Sequence, residues 1–196
     1  MNQLSETAEN LIIVDVEYVD NVVFDLTVNF ERMLERRIPK GDLPLWLDCV
    51  ALDGGMKTGN NSIHIVFIHE KNKSHFDNFL PSNLAEEING KAFADSIGEF
   101  AMQTVTTEKI ASKNQLFADI LQTALNLDTT KRIIAIPAKD YFDDIRTIIR
   151  RSEQQKDVTI LTMESMAGGG FKQEMLGYSL LQALGIHSDE IDAKLK

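Results

Sequence analysis

Asp15 is the residue whose setting most needs a chemical explanation. It interrupts an otherwise apolar run, Leu-Ile-Ile-Val-Asp-Val over residues 11–16, and Glu17 and Asp20 follow it. A carboxylate drawn into apolar surroundings needs a compensating partner. A second apolar run, Arg132–Ala138, also leads into carboxylates, Asp140, Asp143 and Asp144. Asp119 lies ahead of that run, on the polar side of a segment with helical spacing. Converging carboxylates repel one another, and a hard cation such as magnesium or manganese relieves the repulsion. Asp15, Asp119 and Asp140 are therefore the candidate catalytic and metal-ligating residues. A metal held by them would activate water against a phosphodiester. Capping is the plainer reading. Asp140 and Asp143 suit the first turn of a helix, Asp20 suits an N-cap, and Asp119 suits a solvated face.

The elements that must hold these residues follow from hydrophobic pattern. The runs 11–16, 62–69 and 132–138 are nearly continuous in apolar residues, as strands buried on both faces require. Residues 99–105 and 157–163 complete a set of five strands. Helical spacing predicts helices over about 21–37, with Asp20 as cap, and over 43–52, with Pro44 in the first turn. Asn83 with Glu86 opens a short helix, and Ser112 with Gln115 opens one reaching Leu127. Further helices are predicted over 141–152 and 171–184, the last ended by Gly185. Strands alternating with helices give an α/β fold of three layers about a mainly parallel five-stranded sheet, Rossmann-like in outline. Such sheets place their chemistry outside the carboxyl ends of the strands, where strand order reverses. Asp15 and Asp140 would meet there if their strands are neighbours.

Composition narrows the classes. A chain of 196 residues with 43% hydrophobic and 26% charged residues fits one domain of ordinary globular type. Residues 1–9 read as a polar tail, 10–165 as the α/β domain, and 166–196 as a glycine-rich joint with a docking helix. The net charge of −10 repels phosphates and argues against broad nucleic-acid binding. Arg32, Arg36, Arg37 and Lys40 cluster, as do Arg146, Arg150 and Arg151. Cations at helix C-termini explain both groups, with Asp143 one turn from Arg146, and an anion-binding surface is the alternative. The lone Cys49 forms no disulfide within the chain and points to the cytoplasm. No apolar run approaches the roughly 20 residues that a membrane helix needs. His64, His69 and His75 lack zinc spacing, and no Gly-x-Ser-x-Gly elbow is present.

Gly168–Gly170 reads as a flexible joint, with phosphate binding at a helix N-terminus as the alternative. Beyond it Leu176, Leu180 and Leu184 form one apolar row, and Met175, Tyr178 and Leu181 lie on another side. A helix apolar on two sides must bury both. It covers its own sheet or docks on a second copy, which would make a homodimer through 171–184.

The layout of Leu11–Asp15, Phe117–Leu125, Arg132–Ile149 and Asp157–Leu161 resembles that of PIN and NYN nucleases. The resemblance implies that Asp15 is the first acid of their site and Asp119 the second. In those families a Ser-Gly-Asp-Ser-Asp-Phe-type motif ends the fourth strand. Here the segment reads Pro137-Ala138-Lys139-Asp140-Tyr141-Phe142, so lysine and tyrosine stand where the acids belong. A shift of one residue recovers Asp140 alone. The whole chain, above all 15–53 and 166–186, also resembles a family of uncharacterised bacterial proteins, which implies no activity. The expectation is a PIN/NYN-like protein with an altered acidic site, acting as a non-catalytic interaction or scaffold protein. The alternative is a magnesium- or manganese-dependent ribonuclease using Asp15 and Asp119.

Overall fold

Strand alternation decides the layering. In β1 (Asn10–Asp15), Ile12 and Val14 point to one face and Leu11 and Ile13 to the other, and all four are buried. The computed structural model describes residues 8–107, 112–153 and 155–195, and β1 is the middle strand of its main sheet. From β1 the chain passes through α1 (Val16–Leu34), β2 (Gly41–Asp42) and α2 (Leu43–Asp53) to β3 (Asn61–His69). β4 (Phe79–Leu80), a π-helical turn at Leu84–Ile88, β5 (Ala92–Ala94) and β6 (Gly98–Thr106) follow. Next come α3 (Lys113–Asn126), β7 (Arg132–Ile136), a 3₁₀ turn at Lys139–Tyr141, α4 (Phe142–Arg151) and β8 (Asp157–Thr162). The chain closes with β9 (Lys172–Met175), α5 (Leu176–Ala183) and α6 (Ser188–Leu195).

The main sheet has the order β5-β6-β3-β1-β7-β8-β9, and only β5 runs antiparallel to its neighbour. α1, α2 and α5 cover one face, and α3 with α4 covers the other. This is the expected three-layer α/β arrangement. The sheet nevertheless has seven strands among the described residues, not five. The five expected strands are all present, and β5 and β9 extend the two edges.

β9 also corrects the predicted helix over 171–184. Lys172–Met175 is built of good helix formers, yet pairs in parallel with β8 in the register Thr159↔Lys172 to Thr162↔Met175. The open edge of β8 offers backbone partners that override helix propensity. Helix starts only at Leu176, and Leu176, Leu180 and Leu184 are buried as one row. Residues 1–7 of the expected tail lie outside the described residues. Ala8 is already buried, and the Glu9 carbonyl accepts from the amides of Lys131 and Arg132 at 2.8 and 3.1 Å.

The expected start of α1 also moves. Asp15, not Asp20, is the N-cap, accepting from the Tyr18 amide at 3.0 Å. Asp20 instead lies buried on the helix, turned toward the 73–78 segment. The expected cap of α3 holds, Ser112 accepting from the Gln115 amide at 3.3 Å, and α2 is capped by Asp42, which the sequence reading did not single out and which accepts from the Leu45 amide at 3.0 Å. Arg36 makes a two-pronged contact with Glu190, 2.8 Å on each prong, fastening α6 to the end of α1. Arg146 pairs with Asp143 as its spacing implied, and donates to the Ala167 carbonyl at 2.7 Å, anchoring the glycine-rich segment.

On α2, burial and the facing carboxylates of Asp95 and Asp42 push the Asp48 carboxyl up to about 7. The amides of Ile97 and Gly98 hold Asp95 ionised. A carboxyl raised by folding keeps its stability below the ordinary carboxyl range and loses it as pH rises from there to about 7. Asp48→Asn should therefore flatten the loss of stability between pH ~4 and ~7, by about 1 kcal/mol for a half-exposed, screened group. Thermal melts across that range check this. Parallel pH profiles for variant and wild type would show that Asp48 is ionised throughout.

Candidate functional site

The strand order reverses at β1. The chain builds outward from β1 to β3 and β6, then returns through α3 to place β7 on the other side of β1. The carboxyl ends of β1 and β7 therefore border the crevice where open α/β sheets bind ligands. Asp15 ends β1 there and is fully buried. The Lys113 ammonium donates to Asp15 Oδ1 at 2.8 Å and to Glu17 Oε2 at 2.7 Å. Glu17 Oε1 accepts from the Glu70 amide at 2.8 Å, and Thr107 Oγ1 donates to Glu70 Oε2 at 3.2 Å. This chain of contacts ties the ends of β1, β3 and β6 to the start of α3.

Burial decides the ionisation here. It pushes the Asp15 carboxyl above its usual range, even against the pull of Lys113. Burial also opposes the charge on Lys113, but Asp15 and Glu17 overcome it and hold the ammonium above the usual lysine value. Burial likewise opposes the Glu17 charge, and Lys113 with the Glu70 amide brings its carboxyl below the usual range. The Tyr141 phenol, raised by its own burial and then by Asp15, stays protonated beside the pair. One Asp15 oxygen, Oδ2, has no hydrogen-bond partner among the described residues.

The three acids singled out from the sequence do not share this environment. Asp119 is exposed on α3, six residues beyond Lys113, hence about 9 Å further along the helix at 1.5 Å per residue. Asp140 is exposed in the turn after β7. Among the described residues no group of three or more His, Cys, Asp and Glu is placed to hold a metal ion. His64 and His69 are buried and bonded elsewhere, to Gln103 at 3.2 Å and to the Glu70 carbonyl at 2.9 Å.

Lys113 is the site residue that sequence reasoning missed. A signal for it existed. Ser112 caps α3, so Lys113 occupies the first helical position, where the helix dipole disfavours a cation. An unfavourably placed cation and an unpaired aspartate in an apolar strand are natural partners.

Two grooves open nearby or on the same layer. One, of about 300 Å³, lies between α1 and the turns after β7 and β8, lined by Tyr18, Leu26, Phe142 and Met163, with the ion-paired Lys139 and Glu164. The other, of about 310 Å³, lies between α2, α5 and α6. No described helix is long and apolar enough to cross a membrane.

No curated protein and no solved structure matches the chain. The model of one family matches residues 5–191, nearly the whole length, and so the chain belongs to that family of unknown function, DUF6621.

Proposed function

We propose that this protein is a PIN/NYN-like α/β protein that works by interaction, without catalysis, and that its acidic edge serves the fold. Lys113 carries this reading. Its ammonium stands 2.8 Å from Asp15 and 2.7 Å from Glu17, in the space between carboxylates that a divalent cation would need. The donor set also fits a metal poorly, because Asp119 and Asp140 are exposed on separate elements. A partner surface is available elsewhere, where α2 and α5 expose large apolar side chains.

One observation favours the ribonuclease reading. The buried, unpartnered Oδ2 of Asp15 is the kind of atom that a magnesium or manganese ion would satisfy, with Asp119 as the second acid. Incubating the purified chain with labelled single-stranded RNA, with magnesium and then manganese, separates the two. The interaction reading expects no cleavage above background from wild type or from Asp15→Asn. Cleavage by wild type that disappears in Asp15→Asn overturns it.

A further inference from the structure

α2, α5 and the residue that leads into α5 expose large apolar side chains. Tyr178 is 72% exposed, Leu52 49%, and Leu45 and Met175 42% each. Leu45, Cys49 and Leu52 follow helical spacing and so form one ridge of α2. Between that helix and α5 and α6 lies the 310 Å³ groove, with Leu52, Leu181, Ile186 and Ile191 among its walls.

The rim of this groove is acidic. Asp53 lines it, and Glu174 lies close enough that, after burial, it further raises the Asp53 carboxyl. Neither has an ion-pair partner among the described residues. α6 adds the exposed Asp189 and Asp192. The cations of this region are engaged already, Arg36 by Glu190 and Lys194 by Glu35. A second copy docked here through a two-fold axis would bring the same carboxylates against one another.

We infer that the α2–α5–α6 groove docks a cationic amphipathic helix of a partner protein. Its apolar residues at i, i+3, i+4 and i+7 would enter the groove, and its Lys and Arg residues would meet Asp53 and Glu174. The inference rests on the reading of the chain as an interaction protein.

The probe is a fluorescein-labelled helical peptide of Leu and Lys with that apolar spacing, beside its Leu/Glu counterpart. Anisotropy reads binding. Trp46, the single tryptophan, gives a second signal, because its indole N–H donates to Ser179 Oγ in the groove wall at 3.2 Å. The Leu/Lys peptide should bind and the Leu/Glu peptide should not. Tyr178→Ala with Leu52→Ser should weaken binding about tenfold or more, and Asp53→Asn with Glu174→Gln should do likewise. Asp144→Asn with Glu153→Gln, away from the groove, should leave it unchanged. Equal weakening by that distant pair would reduce the binding to net charge and overturn the inference. A dimer in light scattering that Leu52→Glu converts to monomer would assign the groove to a second copy. That result overturns the cationic partner while the interaction reading stands, whereas Asp15-dependent RNA cleavage would overturn the interaction reading itself.

Discussion

Replacing Lys113 by Met should lower the melting temperature by about 10 °C, the equivalent of about 3–5 kcal/mol lost when one member of a buried ion pair is removed. Met keeps most of the apolar volume of the lysine stem, so the loss reports charge. Asp15 is fully buried, and Lys113 is its only ion-pair partner among the described residues. Without that partner only the Tyr18 amide and the Tyr141 phenol oppose desolvation, and the Asp15 carboxyl rises further above its usual range. The sign of the pH effect follows. A carboxyl raised in the folded state costs nothing below its unfolded pKa, costs stability as pH rises from there to its folded pKa, and adds no further loss above it. The deficit of Lys113→Met relative to wild type should therefore be smallest near pH ~4 and largest at neutral pH and above. Adding Asp15→Asn should restore most of the loss, since both charges are then gone. Melts of the four proteins of this cycle at acid and neutral pH check it. A deficit independent of pH, or one that Asp15→Asn deepens, would place the role of Lys113 in packing alone.

Asp20→Ala should cost about 3 kcal/mol and loosen residues 71–80. Asp20 is 2% exposed and accepts from the amides of Asp77 and Asn78 at 2.8 and 2.9 Å, from Asn78 Nδ2 at 3.1 Å and from Lys73 at 2.7 Å. Those contacts hold the segment that carries Phe76 and Phe79 into the core, against Phe67 and Trp46 with ring centroids 5.3–5.8 Å apart. Removing the carboxylate leaves two amides and a lysine to water, and the aromatic plug loses its tether. Amide exchange should show lost protection at Asp77 and Asn78 first, beyond the change that global stability explains. Asp20→Asn, which keeps one acceptor oxygen, should fall between Ala and wild type. Unchanged exchange at those two amides would contradict the tether.

Much of the fold was legible because its signals were local. Continuous apolar runs marked three of the five main strands, β1, β3 and β7, and Ser112 with Gln115 marked the start of α3. The extra strands were hidden for a physical reason. Lys172–Met175 is strand because β8 has an open edge beside it, and nothing within those four residues states that. The start of α1 was misplaced because Asp20 has the composition of a cap, while its actual partners lie in residues 73–78. The site was half legible. Asp15 stood out because a carboxylate in an apolar strand demands a partner. That partner lies 98 positions away, and only folding brings Lys113 to it. Asp119 shares a helix with Lys113 but is exposed six residues on, so helical spacing located the helix without showing which of its residues pairs with Asp15.

The carboxyl edge of the sheet carries its own cation, the Lys113 ammonium. A thermal-shift titration with manganese, wild type beside Asp15→Asn, puts this to the test. A cation bound only by the folded chain raises the melting temperature by mass action, by about 2.7 kcal/mol of stability at a hundredfold excess over the dissociation constant. With Lys113 in place, millimolar manganese should leave both melting temperatures where they were. A rise in wild type that Asp15→Asn abolishes would mean that manganese takes the place assigned to the lysine, and the edge would have to be read as a metal site.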